Sequence, residues 1–320
     1  MRICVVGSGV IGTIYGSVLS KAGHDITHYV RDIASTPLAG GVDIRLLDGR
    51  DPIGAEVTVP YCPRLAERIN PGYDLILASV RHYQVDGLLP VLASAGGGAD
   101  VLFFNNWWRT FDAIDQLPDR GRYLWGFPVA GGGWDGNRLE AALLGEVRLG
   151  EVDGRSTDRV RRIASLFQGC DLSVDQPADI GAWLWVHFAI EAGVIGSVIA
   201  VGDAEEFLDS VDHLQRAVFA VRESLAVVQA RGVDIDASSD AQMFFAPAEM
   251  VAEGIHAEYQ VNRPARKIMQ RHTGAEELRR IYHDVLDTGR QLGVAMPHLE
   301  ALGGAVDAWR APIPARDRAG

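Results

Sequence analysis

The sequence predicts an α/β chain in two parts: a doubly wound sheet over residues 1–176, followed by an all-helical domain over 177–320. Three observations predict it. A short apolar strand at the amino terminus turns directly into a helix through spaced glycines. Brief continuous apolar runs then alternate with helical patterns, as parallel strands covered on both faces do. From Ala178 onward the apolar spacing is helical, with no strand of comparable strength.

The first element is the strand Ile3 to Val6, and it leads into Gly7-Ser8-Gly9-Val10-Ile11-Gly12. Gly7 permits a tight turn, Gly9 removes a side chain where a pyrophosphate approaches the backbone, and Gly12 lets the helix press on its strand. Ser8, Val10 and Ile11 complete a turn whose helix N-terminus offers unpaired N–H groups to phosphates. Ile11, Ile14, Tyr15, Val18, Leu19 and Ala22 follow at helical spacing. This is the fingerprint of a Rossmann-type dinucleotide-binding domain.

A second strand, Asp25 to Val30, alternates and ends at Arg31. At this strand end a carboxylate accepts from the 2′-hydroxyl of NAD, whereas an arginine suits the 2′-phosphate of NADP. Arg31 therefore favours NADPH, with the adjacent Asp32 as the competing NAD-type reading. Leu75 to Val80, Val101 to Phe104 and Tyr123 to Phe127 read as further strands. Beyond Gly131-Gly132-Gly133, Leu139 to Leu143 and Glu146 to Leu149 read as a hairpin or paired strands, and Val160 to Phe167 as a closing helix.

In the second part, helices are expected over Ala182 to Val201, Leu214 to Arg231, Ala248 to Arg271 and Glu276 to Leu292, with Gly232, Gly293 and Pro297 as stops. The tail from Pro312 is read as frayed. Ala182 to Val201 has the length of a bilayer span. It carries His187 and Glu191, lacks flanking Lys or Arg, and is followed by Asp203, Glu205 and Glu206, so it is read as a core helix.

Composition narrows the class. The chain has 320 residues, 48% hydrophobic and 22% charged, with a net charge of −12. That charge argues against general nucleic-acid binding and leaves room for a small anionic ligand on a local basic patch. Cys4, Cys62 and Cys170 have neither metal-ligand spacing nor the density of a disulfide scaffold, and with a folded strand at the start no secretory signal is expected. A cytoplasmic protein with a small-molecule substrate, no metal site, no nucleic acid and no membrane partner is expected.

Ligands of a doubly wound sheet bind outside the carboxyl ends of its strands. Arg81 and Asn105 occupy two such ends; Trp107 and Trp108 form either an apolar wall or core. In the long apolar helix His187 and Glu191 lie four residues apart on one face, where buried ionisable groups must pair or line a site. The cleft between the two parts is the default site.

With these features assembled, the chain resembles the ketopantoate reductase family, NADPH-dependent 2-dehydropantoate 2-reductases. The resemblance rests on GSGVIG, the strand ending in Arg31, SVRHYQV at 79–85, FNN at 104–106, LWVHFAIEAGVIG at 184–196, and AEELRRIY through GVAMP at 275–297. It implies that Arg81 contacts coenzyme, that Asn105 lies near nicotinamide and substrate, and that Glu277 lies in the active site. It also implies departures. The family's proton-donating lysine falls on His187, its substrate asparagines on Glu191 and Ile195, and its later serine near Ala265; Lys21 and Lys267 are the only lysines.

The expected function is reduction of a carbonyl or imine by hydride transfer from NADPH. His187 donates the proton or polarises the acceptor, Glu191 supports it or pairs with a cationic substrate group, Glu277 orients the substrate or a water, and Asn105 hydrogen-bonds nearby. Two alternatives remain: an authentic ketopantoate reductase using His187 for lysine, with Arg263, Arg266 and Lys267 near the substrate carboxylate, and a non-catalytic NADP-binding sensor or partner protein. The helical part is expected to carry substrate contacts and any homodimer interface.

Overall fold

The computed structural model describes residues 1–50, 54–95, 97–115, 117, 119–271 and 274–310. The tail from Pro312 lies outside them. The chain divides into two compact units, Met1–Gly181 and Ala182–Gly320.

The first unit is built on ten strands: β1 Arg2–Val6, β2 Asp25–Tyr29, β3 Val42–Asp48, β4 Glu56–Tyr61, β5 Arg64–Ala66, β6 Leu75–Ala78, β7 Asp100–Phe104, β8 Tyr123–Asp135, β9 Arg138–Gly150 and β10 Ser173–Asp175. They form one sheet in the order β4-β3-β9-β8-β7-β6-β1-β2-β5, with β10 pairing β9. From β8 through β5 every neighbouring pair is parallel, the dinucleotide-binding core that the apolar runs predict. Three helices, α1 Val10–Lys21, α2 Val85–Ser94 and α3 Asp158–Gln168, complete the unit. Ile3 and Val5, Leu75 and Leu77, Leu102 and Phe104 point to one face, where they pack with Tyr15 and Leu19 of α1 and Ile163 and Phe167 of α3. At about 25 cal/mol per Å² of apolar surface removed from water, this layer dominates the unit's stability.

Two sequence expectations are corrected here. The segments 139–143 and 146–149 do not pair with each other; both belong to the continuous strand β9, whose antiparallel partner is β8. The strand expected over Tyr123 to Phe127 continues through the three glycines to Asp135, although glycine weakens a strand. Here Gly132 sits at φ +151°, where a Cβ would lie 2.1 Å from the Glu140 carbonyl, so glycine is what lets the two strands approach. The turn of this hairpin is Gly136-Asn137, with Gly136 at φ +58°, a backbone glycine adopts freely. Strands β3 and β4 lie outside the sequence expectation, although Val42, Ile44 and Leu46 are buried and Asp43 and Arg45 exposed in the alternation of a half-covered strand.

The second unit is helical: α4 Ile180–Val201, which begins at its boundary, α5 Ala204–Asp209, α6 Val211–Ala230, α7 Ser239–Gln242, α8 Ala248–Val261, α9 Arg263–Arg271, α10 Ala275–Leu292 and α11 Pro297–Ala308. The single helix expected over 248–271 is two. Asn262 ends α8 and its side-chain Oδ1 accepts from the Ala265 N–H at 3.0 Å, capping α9; Pro264 has no N–H to continue the earlier ladder. Helix α4 is 22 residues long and apolar enough to cross a membrane, yet 61% of its most apolar window is buried within the fold. Its glycines explain the packing: a Cβ at Gly193 would lie 2.7 Å from the backbone of Val221 in α6, and one at Gly196 would meet Tyr282 of α10 at 2.9 Å. It is a core helix, packed against α6 and α10 through these glycines.

Candidate active site

The parallel core sets the site's first half. Adjacent strands run β7-β6-β1-β2, so their carboxyl ends bring Asn105, Arg81, the glycine turn and Arg31 to one edge of the sheet. Gly7 leaves β1 at φ +114°, a conformation that side chains resist. Its N–H donates to the Tyr29 carbonyl at 3.3 Å. Its own carbonyl accepts from His28 Nδ1 at 2.9 Å. Gly9 caps α1 in an extended conformation, with no side chain satisfying the helix N-terminus and no acidic residue in the first turn. A Cβ on Gly9 would meet nothing within 4 Å, so the space in front of the turn is open. At Gly12 a Cβ would lie 2.8 Å from the Gly7 carbonyl and 2.7 Å from Ser79 Oγ. Gly9 thus faces open space and Gly12 a packed contact, as a phosphate-binding turn requires; Ser8, Val10 and Ile11 supply the remaining backbone of the turn. The residues fit a dinucleotide pyrophosphate.

At the end of β2 the two competing residues are occupied differently. Asp32 accepts from the Ser35 hydroxyl and from the Ala34 N–H at 2.9 Å, and these bonds hold its carboxyl below the usual carboxylate range. Arg31 is exposed and has no hydrogen bond or ion pair among the described residues. Arg81 is also exposed, yet it caps the short turn after β6. Its N–H donates to Gln84 Oε1 at 3.2 Å and its guanidinium to the Tyr83 hydroxyl at 2.9 Å. Asn105 is 8% exposed; its amide donates to the Val80 carbonyl at 2.8 Å, tying the ends of β6 and β7 together, and its Oδ1 is buried without a partner. An unmet buried acceptor is costly. Trp107 is fully buried and stacks on Phe111 with ring centroids 5.7 Å apart, so it is core rather than an exposed wall.

In the helical unit α4 carries a polar row at four-residue spacing, Trp183, His187 and Glu191. His187 Nε2 lies 3.3 Å from Glu191 Oε1, and both side chains keep about a quarter of their surface exposed, 25% and 29%. The Trp183 indole lies flat on the imidazole, centroids 5.0 Å apart and planes within 16°. Trp183 is itself anchored, because its indole N–H donates to Asp240 Oδ2 of α7 at 2.8 Å. Tyr259 of α8 joins this group: burial first and the Glu191 carboxylate second push its phenol up to about 12. Nothing in the sequence around Tyr259 announces it. Ile195, one turn past Glu191, is buried core. Glu277 is half-buried in the first turn of α10, beside Glu276, which is engaged with Arg280 at 2.7 Å. Arg266 is paired with Asp209 at 2.9 Å.

Residues 3–154 match the family model of ketopantoate reductase, PanE/ApbA. Over this stretch the chain is similar to the ketopantoate reductase family. A 2-dehydropantoate 2-reductase of Archaeoglobus fulgidus is 24% identical over 256 residues, covering 79% of this chain and 81% of that one. The fold agrees over almost the full length. The crystal structure of 2-dehydropantoate 2-reductase from Geobacter metallireducens superposes with a TM-score of 0.71 at 18% identity, covering 96% of this chain and 99% of that one. D-mandelate dehydrogenase, solved with NADH and anilino(oxo)acetate, superposes with a TM-score of 0.72 at 16% identity, covering 96% and 98%.

Proposed function

We propose that this chain is an NADPH-dependent oxidoreductase that reduces the carbonyl or imine carbon of a small 2-oxo acid-like substrate. The observation that carries this reading is the glycine turn, open in front of Gly9 and closed behind Gly12, with a free Arg31 beside an Asp32 already engaged by Ser35. An unengaged guanidinium suits a ribose 2′-phosphate, whereas a carboxylate held by its own loop is a weaker acceptor for a ribose hydroxyl.

Bound at this turn, the coenzyme supplies the hydride. The protein's share is orientation and proton delivery. Gly7, Ser8, Gly9, Val10, Ile11 and Gly12 hold the pyrophosphate, Arg31 and Arg81 neutralise phosphate charge, and the free Oδ1 of Asn105 accepts a hydrogen bond from coenzyme or substrate. His187 gives a proton to the oxygen or nitrogen that gains charge as the carbonyl or imine is reduced. Glu191 orients the imidazole from one side, and Trp183 fixes its plane from the other. Glu277 orients the substrate or a water. A positioned proton donor of this kind contributes on the order of a hundred- to ten-thousandfold. With three free cysteines, the chain suits a reducing, cytoplasmic compartment.

A second reading, 2-dehydropantoate reduction with His187 in the place of lysine, is favoured by the curated relative of that name. The D-mandelate dehydrogenase likeness favours a different 2-oxo acid on the same fold. The test is NADPH consumption against a panel of 2-dehydropantoate, other 2-oxo acids, ketones and imines. Turnover of 2-dehydropantoate alone selects the second reading, and turnover of another member the first. NADPH binding with no oxidation by any member overturns both and leaves a non-catalytic binding protein.

A further inference from the structure

Beneath the glycine turn lies a buried polar pair that the proposed chemistry does not use. His28, in the middle of β2, is 0% exposed, and Tyr61, at the end of β4, is 6% exposed. The Gly7 carbonyl 2.9 Å from His28 Nδ1 can only accept, so Nδ1 carries the proton. Nε2 is then an acceptor, and the Tyr61 hydroxyl 2.8 Å away donates to it. Burial holds the imidazole down to about 4, so it stays neutral and this single tautomer persists. Helix α1 is cut to fit the pair: a Cβ at Gly16 would stand 2.5 Å from the Tyr61 oxygen and 2.6 Å from His28 Nε2.

The consequence follows from peptide geometry. A planar trans peptide points its C=O and its N–H in opposite directions. No cis peptide occurs among the described residues. Pinning the Gly7 carbonyl toward His28 therefore aims the Ser8 N–H the other way, while the Gly7 N–H is fixed by Tyr29. We infer that His28, held by Tyr61, is a positioning residue that sets the Gly7-Ser8 peptide for coenzyme phosphate. The inference rests on the coenzyme-binding reading above.

Three substitutions in the full chain separate orientation from mere stability. In His28→Asn the amide nitrogen reaches the place of Nδ1 and keeps the donor to Gly7; in His28→Gln it reaches the place of Nε2 and keeps only the Tyr61 side. His28→Leu keeps neither. Each polar variant loses one buried bond, so their melting temperatures should fall comparably. NADPH affinity, read by tryptophan quenching, should stay within about threefold of wild type in His28→Asn and weaken roughly tenfold in His28→Gln and His28→Leu. The Ser8 amide cross-peak, recorded without coenzyme, should move in Gln and Leu and hold its place in Asn. Equal affinity in the Asn and Gln variants, or an unmoved Ser8 amide in His28→Gln, overturns the inference. If wild type itself binds no NADPH, the coenzyme reading fails instead, and the Ser8 amide still decides whether His28 orients the turn.

Discussion

Gly9 and Gly12 are three residues apart in one turn, yet alanine should affect them in opposite ways. At Gly12 the new methyl would stand 2.8 Å from the Gly7 carbonyl, 2.7 Å from Ser79 Oγ and 3.2 Å from Val5 Cγ1, two of them fixed by the strand below. Overpacking of this kind costs about 1–3 kcal/mol, and at about 2–4 °C per kcal/mol for a domain of this size the melting temperature should fall by roughly 2 to 12 °C. At Gly9 the backbone is ordinary, φ −76° and ψ −177°, and the methyl would meet nothing within 4 Å. Alanine there gains about 0.4–1 kcal/mol from the unfolded chain and loses a comparable amount as a poorer helix cap. Stability should therefore hold while the methyl fills the space that phosphate needs. Losing one charge-assisted bond costs about 1.5–3 kcal/mol, so NADPH should bind Gly9→Ala about ten- to a hundredfold more weakly. Thermal melts and NADPH titration on the same samples check both halves. Wild-type affinity in Gly9→Ala, or loss of affinity only together with loss of fold, would refute the phosphate-binding reading of the turn.

Further outcomes follow from the same geometry. Arg31→Ser should weaken NADPH by about tenfold and leave NADH nearly unchanged, because only the 2′-phosphate loses a partner; parallel titrations with both coenzymes measure it. His187→Ala should lower turnover by at least about a hundredfold with NADPH affinity retained, and unchanged turnover removes its role as proton donor. His28 is buried neutral at about 4 against an ordinary 6.5, so the unfolded chain binds its proton first and stability falls as pH drops from about 6.5 to about 4. The loss should approach about 3 kcal/mol and be absent from His28→Asn, as urea unfolding across that pH range would report.

Sequence patterning carried the parallel core well. Its central strands β1, β6 and β7 are short apolar runs buried on both faces, and its first helix follows the glycine signature. Because parallel strands end on one side, naming the residues after β1, β2, β6 and β7 was enough to collect Gly7, Arg31, Arg81 and Asn105 at one edge. The antiparallel extension was harder to read. Gly131-Gly132-Gly133 has the composition of a break, and only the partner strand, with its Glu140 carbonyl at Gly132, explains why glycine belongs inside a strand. Asn262 and Pro264 divide α8 from α9 by a cap and a missing N–H, a signal present in the sequence but overridden by the long helical periodicity. The pairing of His187 with Glu191 was legible because a four-residue spacing is local. Contacts distant in sequence were not: Asp240 reaches Trp183 across 57 residues, and Tyr61 reaches His28 across 33. Tertiary proximity of that kind leaves no mark in a local pattern.

The central claim is hydride transfer from coenzyme to a substrate carbon on this chain. Its most direct measurement uses NADPH deuterated at nicotinamide C4, with the accepted substrate of the panel and mass spectrometry of the product. One deuterium is expected on the reduced carbon, from one face of the nicotinamide only, in wild type and at a slower rate in His187→Ala. Product formed without deuterium on that carbon from NADPH labelled on either face would contradict it.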